Sequence, residues 1–281
     1  MTHDTAGSRR IGAAFAGALE DGRIAFVPYV VAGYPDIDTS EAAALTALDA
    51  GADLLEVGLP YSDPLADGAT LQRAGAAALA AGATLDGSLR LVERICRARP
   101  QKPVLVMGYV NQFLGPLGPE AMAGRLAVAG ACGAIVADLT PDEGAPLEES
   151  FARHGLALVY LVAPTTSPDR VALIAARSGG FVYCVSLTGV TGARRSVPGA
   201  LRALVSRIKA VSTMPVAVGF GVSRPAHVRA VASAGADGVI VGSALVEALG
   251  PQGTDVARLG RTCVELRGGG RRAARSGRRV A

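Results

Sequence analysis

The sequence has little of several things that would direct a reading elsewhere. Its 281 residues hold only four cysteines, Cys96, Cys132, Cys184 and Cys263, widely spaced and without a CxxC pair. That argues against a disulfide framework or a zinc ribbon, and it suits a reducing cytosol. Three histidines, His3, His154 and His227, are too few for a multi-histidine metal site. No run of 18 apolar residues occurs. The longest uncharged stretch, 103–119, is interrupted by Asn, Gln, Gly and Pro, so no transmembrane helix is expected. The opening MTHDTAGSRR has no apolar signal core, and a cytoplasmic location is the expectation.

Basic charge is also scarcer than the total implies. A net charge of +4 and a pI near 9.1 would ordinarily raise nucleic acid as a partner. Six arginines, however, fall in the last fifteen residues, RGGGRRAARSGRRVA, and without them 22 basic residues face 24 acidic ones. The body is near neutral, and no nucleic-acid partner is expected for it. The tail, 267–281, has no aromatic residue. It reads as a disordered, solvated segment, with contact to RNA or an acidic partner as the other reading.

What is present is a globular, glycine-rich composition: half the residues are apolar and 36 are glycine. It points to an α/β protein rather than to disorder or collagen. Eight short apolar runs, at 24–31, 53–59, 103–109, 133–137, 156–162, 181–186, 215–219 and 238–242, alternate with alanine-rich segments of helical character. Near-continuous apolar runs mark strands buried on both faces, hence a parallel sheet. The intervals between their starts fit strand–helix–strand units of roughly 30 residues, and the longest has room for two helices, at 69–81 and 85–99. A helix is expected over 40–51, stopped by Gly51, and Asp169 and Ser223 stand where N-caps would fall. The expected fold is a single (β/α)8 barrel over 1–266, with an extra N-terminal helix at 8–20 covering its floor. A doubly wound open sheet with a second domain is the alternative. The absence of a composition break before the tail favours one barrel.

In such a barrel the reactive groups lie at the C-terminal ends of the strands. The second run and its loop read LLEVGLPYSDPLADG, 54–68. Glu56 sits inside an apolar strand, where burial raises a carboxylate's pKa and suits it to proton transfer near neutral pH. A glutamate paired with arginine or capped by backbone donors is the structural alternative. Gly58, on the same strand face, leaves room beside it for a ligand. Asp63 and Asp67 follow on the loop, either as turn formers or as a second carboxylate in a different environment from the first.

Glycine-rich turns after the sixth, seventh and eighth runs offer Gly192, Gly221, Gly242 and Ser243 as backbone donors to a phosphate. Tyr183, on the sixth run, either packs in the barrel or aims its hydroxyl at the ligand. No run contains a lysine, so a strand-borne Schiff base is not available and carbon–carbon cleavage would have to proceed by acid–base chemistry.

These segments resemble the α subunit of tryptophan synthase over about residues 8–266. The matching stretches are PYVVAGYP (28–35), GADLLEVGLPYSDPLADG (51–68), VMGYVN (106–111), ADLTPDE (137–143), FVYCVSLTGVTGAR (181–194), VAVGFGVS (216–223) and DGVIVGSALVE (237–247). The resemblance implies a lyase that cleaves indole-3-glycerol phosphate to indole and glyceraldehyde 3-phosphate in tryptophan biosynthesis. It implies Glu56 as the acid–base that moves a proton to indole C3, and Asp67 as the carboxylate that takes the indole N–H. Tyr183, Tyr109 and Phe220 correspond to residues around the substrate. Thr191 corresponds to the threonine of a mobile sixth loop (187–197) that closes on the aspartate, and Gly192, Gly221, Gly242 and Ser243 to the phosphate cradle. It further implies no cofactor in this chain, and a pyridoxal phosphate β subunit as partner in an assembly of two α and two β subunits. The chain departs from the family at Gln112, after Asn111, and at Ala69, where proline is frequent in relatives. Three other readings stand beside this one: a free-standing lyase that releases indole without a partner, a non-catalytic barrel that binds a phosphosugar as an allosteric partner, and a generic phosphate-binding barrel isomerase, which the two long motif matches disfavour.

Overall fold

A computed structural model describes residues 4–115, 117–185, 197–219 and 221–271. In chain order the elements are α1 (Ala6–Glu20), β1 (Ala25–Val31), α2 (Ile37–Asp49), β2 (Leu55–Gly58), α3 (Ala69–Ala80), α4 (Leu85–Ala98) and β3 (Val104–Gly108). Then come α5 (Val110–Leu114), α6 (Gly118–Val128), β4 (Gly133–Val136), α7 (Ala145–Arg153), β5 (Ala157–Val159), β6 (Leu161–Val162) and α8 (Pro168–Arg177). β7 (Val182–Val185), α9 (Val197–Lys209), β8 (Val216–Gly219), α10 (Pro225–Ser233), β9 (Gly238–Val241), α11 (Ser243–Ala248) and α12 (Val256–Gly268) complete the order. Among the described residues no helix is long and apolar enough to cross a membrane.

The strands are parallel, in the order β5-β4-β3-β2-β1-β9-β8-β7-β6. The two ends of that order are consecutive in the chain, so the sheet is a barrel closed through residues 157–162. The fifth expected strand is thus present as two pieces, one paired to β4 and the other to β7. The break falls at Tyr160. Its N–H goes to Ser178 Oγ (3.1 Å) instead of a neighbouring strand, while its side chain leaves the barrel to donate to Glu148 Oε1 (2.5 Å). Glu148 also holds Arg177 through two bonds, at 2.8 and 2.6 Å.

Each strand sends alternate residues to two cores, as the period of two requires. The outer core, between sheet and helices, takes Val30, Leu55, Val57, Val104 and Val106. The inner core takes Ala25, Val27, Leu54, Leu105, Ile135, Phe181 and Ile240, joined by Ile11, Phe15 and Ala18 of α1. The N-terminal helix therefore stoppers the barrel at its floor. Phe15 lies 5.4 Å from Phe181, centroid to centroid, and Gly238 leaves the space its ring fills. Thr5 caps α1 in a reciprocal pair with Ser8.

Two cap expectations are corrected. Pro168 begins α8, so the cap is Ser167, whose side chain accepts from the Arg170 N–H, and Asp169 lies inside the first turn. Arg224, without a side-chain cap bond, precedes α10, and the Ser223 N–H bonds instead to His227 Nδ1 (3.3 Å). At the C-terminal end α12 runs to Gly268, into the stretch expected as tail. Cys263 and Leu266 bury its inner face, and Gly270 O accepts from the Ile24 N–H (3.0 Å).

Candidate active site

β2 carries Glu56 at the mouth half of the barrel. Leu55 and Val57 on either side face the outer core, so the glutamate faces inward, in register with Tyr29 of β1 and Leu105 of β3. It is fully buried, and neither carboxylate oxygen has a hydrogen-bond partner among the described residues. The arginine or backbone partner that would make it structural is not among them. Burial, with a further contribution from the charge of Asp67, pushes its pKa up to about 8. A carboxyl group in that condition is protonated at neutral pH and has a proton to give.

Asp67 lies on the loop after β2, half-buried. Burial raises its pKa to about 6, against a hydrogen bond from the Tyr109 hydroxyl that lowers it. The loop is pinned on several sides. Tyr109 Oη accepts from the Ala66 N–H (3.1 Å), Gln112 Nε2 donates to Pro60 O (3.1 Å), and Gln72 Nε2 donates to Asp67 O (2.9 Å). Tyr61 stacks on Tyr109, with ring centroids 5.1 Å apart, and its hydroxyl accepts from Asn111 Nδ2 (2.8 Å). Gln112 is thus a tie between the loops after β2 and β3. Asp63, by contrast, lies exposed on the same loop and its carbonyl accepts from the Leu65 N–H (3.0 Å).

Tyr183 faces inward on β7, its ring over Gly219 of β8. Its pKa stands well above the ordinary phenol value, through burial first and then the charges of Glu56, Tyr29 and Asp67. Glu56, Asp67, Tyr109 and Tyr183 are thereby brought into one electrostatic neighbourhood. Tyr29, which the sequence did not single out, belongs to it as well: its phenol is raised by burial, Asp67, Glu56 and Tyr109. The space expected beside Gly58 for a ligand is occupied by this ring, because a Cβ at Gly58 would fall on the Tyr29 hydroxyl. The signal available was the inward alternation of Val27, Tyr29 and Val31 on β1.

Gly221 and Gly242 follow the neighbouring strands β8 and β9, whose register pairs Gly219 with Ile240, so both lie at the same end of the barrel as Glu56. Gly221 has φ +71°, a conformation that favours glycine. Gly242 precedes α11, and no side chain caps the first N–H groups of that short helix, which begins at the exposed Ser243. Thr191, Gly192, Phe220 and the loop 187–196 lie outside the described residues. Among the described residues no group of three or more His, Cys, Asp or Glu could hold a metal ion.

The sequence pattern of the family described as "Tryptophan synthase alpha chain" matches residues 15–267. The tryptophan synthase alpha chain of Gloeobacter violaceus is 49% identical over 240 residues, 85% of this chain and 86% of that protein. That of Methanothermobacter thermautotrophicus is 46% identical over 225 residues, 80% of this chain and 83% of its own. Among solved structures, tryptophan synthase of Mycobacterium tuberculosis superposes with a TM-score of 0.86 at 42% identity, over 94% of this chain and 99% of that one. Tryptophan synthase subunit alpha of Legionella pneumophila does so with a TM-score of 0.82 at 32% identity, over 92% and 97%. With a matched region that spans the barrel from α1 to α12, this chain belongs to the tryptophan synthase alpha chain family.

Proposed function

We propose that the chain is the α subunit of a tryptophan synthase and cleaves indole-3-glycerol phosphate to indole and glyceraldehyde 3-phosphate. The observation that carries the assignment of roles is Glu56, buried, inward-facing and unpartnered among the described residues, beside a second carboxylate of different acidity. The carbon–carbon bond to indole breaks only after ring carbon C3 is protonated, which turns the ring into an electron sink. Glu56, protonated at neutral pH, supplies that proton. Asp67, ionised at neutral pH, accepts the indole N–H and stabilises the positive charge that spreads to the ring nitrogen. The bonding pair then returns to the ring, and the hydroxyl on the departing carbon loses its proton as the aldehyde forms. The Glu56 carboxylate left after the first step is the base for it.

Tyr109 and Tyr183 frame the indole. Gly221, Gly242 and Ser243 hold the phosphate through backbone N–H groups, and the resemblance assigns the corresponding roles to Phe220, Gly192 and Thr191, which lie outside the described residues. Every acid–base group this cleavage requires is a side chain of the chain itself, so the reading calls for no cofactor here. Pyridoxal phosphate belongs to the partner β subunit, and two α and two β subunits form a tetramer in the cytoplasm. The test is the Glu56→Gln variant, assayed for indole release with β subunit present. General acid–base catalysis contributes about 10²–10⁴-fold. A loss of that size with substrate still bound supports the roles, and turnover within about threefold of the parent protein would remove Glu56 from them.

A further inference from the structure

The phenol of Tyr29 is used by none of the steps above, although it belongs to the same electrostatic neighbourhood as Glu56 and Asp67. Three features distinguish it. First, its seat is cut by two glycines from the strands on either side. A Cβ at Gly58 of β2 would fall on the hydroxyl, and a Cβ at Gly242, after β9, would meet Tyr29 Cδ1 at 3.2 Å. Second, the hydroxyl makes no hydrogen bond among the described residues, although the residue is only 7% exposed. A tyrosine whose ring is buried ordinarily finds a partner for its hydroxyl, and here a ligand can supply one. Third, burial and the neighbouring charges of Asp67 and Glu56 keep the phenol protonated, so it is a hydrogen-bond donor at any working pH.

Its position says which part of a ligand would take that bond. On one side Tyr29 stands in register with Glu56. On the other, β1 pairs with β9 through Pro28 and Val241, which brings Gly242 alongside. The reading of the site proposed above, on which this inference rests, puts the indole end of the substrate at Glu56 and Asp67 and the phosphate end at Gly242 and Ser243. The three-carbon polyol between them must cross the face of Tyr29. We propose that Tyr29 is a specificity-determining residue whose hydroxyl donates a hydrogen bond to the middle hydroxyl of the glyceryl chain, the one that remains an alcohol through the reaction. The site thereby selects a polyol phosphate over a deoxy chain of the same length.

The experiment compares two substrates, indole-3-glycerol phosphate and its analogue with hydrogen in place of the middle hydroxyl, on the full chain with β subunit. The parent protein is expected to prefer the complete substrate by about tenfold or more in kcat/KM. Tyr29→Phe keeps the ring and removes the donor, so it should lose the same factor on the complete substrate and handle both substrates within about twofold. A merely structural tyrosine would lower both substrates equally, and that retained preference would overturn the proposal. So would a parent protein that does not discriminate, a result that requires no variant to fold. Failure of the parent protein to cleave the complete substrate at all would instead remove the underlying reading, and this one with it.

Discussion

Two carboxylates three residues apart, Asp53 and Glu56, meet opposite fates on the same stretch of chain. Asp53, just before β2 at the floor side, is buried and saturated. Arg23 donates to it twice, at 2.5 and 2.8 Å, and the Phe26 N–H adds a third bond at 2.8 Å. Glu56 at the mouth side is buried and has no hydrogen-bond partner among the described residues. A paired carboxylate ties α1, β1 and β2 together, whereas an unpaired one is held in a protonation state that water would not allow. The lower half of the barrel therefore spends its buried charge on cohesion, and the upper half keeps it available for chemistry.

The sharpest way to break this contrast is to remove each charge in turn. Glu56→Gln is expected to lose two to four powers of ten in indole release while its stability near pH 5 stays close to the parent's. Asp53→Asn should do the reverse. It leaves the largely buried Arg23 guanidinium with only the exposed Asp21 (2.9 Å) as counter-charge, which costs up to about 3–5 kcal/mol. Urea unfolding would show the drop, and the fraction that stays folded should turn over within about twofold of the parent. An Asp53→Asn protein of full stability, or one that is folded but inactive, would dissolve the distinction.

pH sharpens it further. The fold raises the Glu56 pKa from 4.5 to about 8, so the folded state prefers the protonated acid. Its contribution is fully present below about 4.5 and is lost as pH rises through about 8, because the unfolded chain has by then released a proton that the folded chain still binds. Unfolding free energy should decline over that window by a few kcal/mol relative to Glu56→Gln, so the variant is the more stable protein at pH 9. Identical pH dependence in the two proteins would mean that the glutamate is not held protonated. Catalysis should peak between the two values, about 6 and about 8, at which Asp67 is ionised and Glu56 is not.

The smallest effect is expected at Tyr109. Tyr109→Phe removes the donor to Asp67, so the aspartate pKa rises and the acid limb of the kcat/KM profile moves to higher pH, with a loss of a few-fold near neutrality. An unmoved acid limb would show that Asp67 is positioned without that hydroxyl.

Much of this could be read in advance, for reasons that differ by residue. The strand segments were legible because strands buried on both faces must be apolar throughout. Glu56 was legible as the exception within such a run. The break at Tyr160 was not, since it depends on Ser178 and Glu148, 18 and 12 positions away and brought close only by the helices that follow β4 and β6. Ser167 was missed as a cap because the proline that sets the helix start outweighs the acidic residue after it. The room beside Gly58 was real, but its occupant comes from β1, and no local pattern in β2 announces what the next strand places there. Gln112 looked like a departure from relatives, and its role is visible only when Pro60 is seen across the mouth.

The helix that stoppers the floor has a consequence for traffic. With Ile11, Phe15 and Ala18 packed into the inner core, the barrel is a cul-de-sac. Whatever enters at the lip must turn round and leave by it, in an order set by which fragment stands nearer the opening. An apolar product handed to a second protein must therefore be received at the rim formed by the loops after the strands. A void opened in the stopper, as by Phe15→Ala, would loosen the wall at the blind end and give the product no shorter way out.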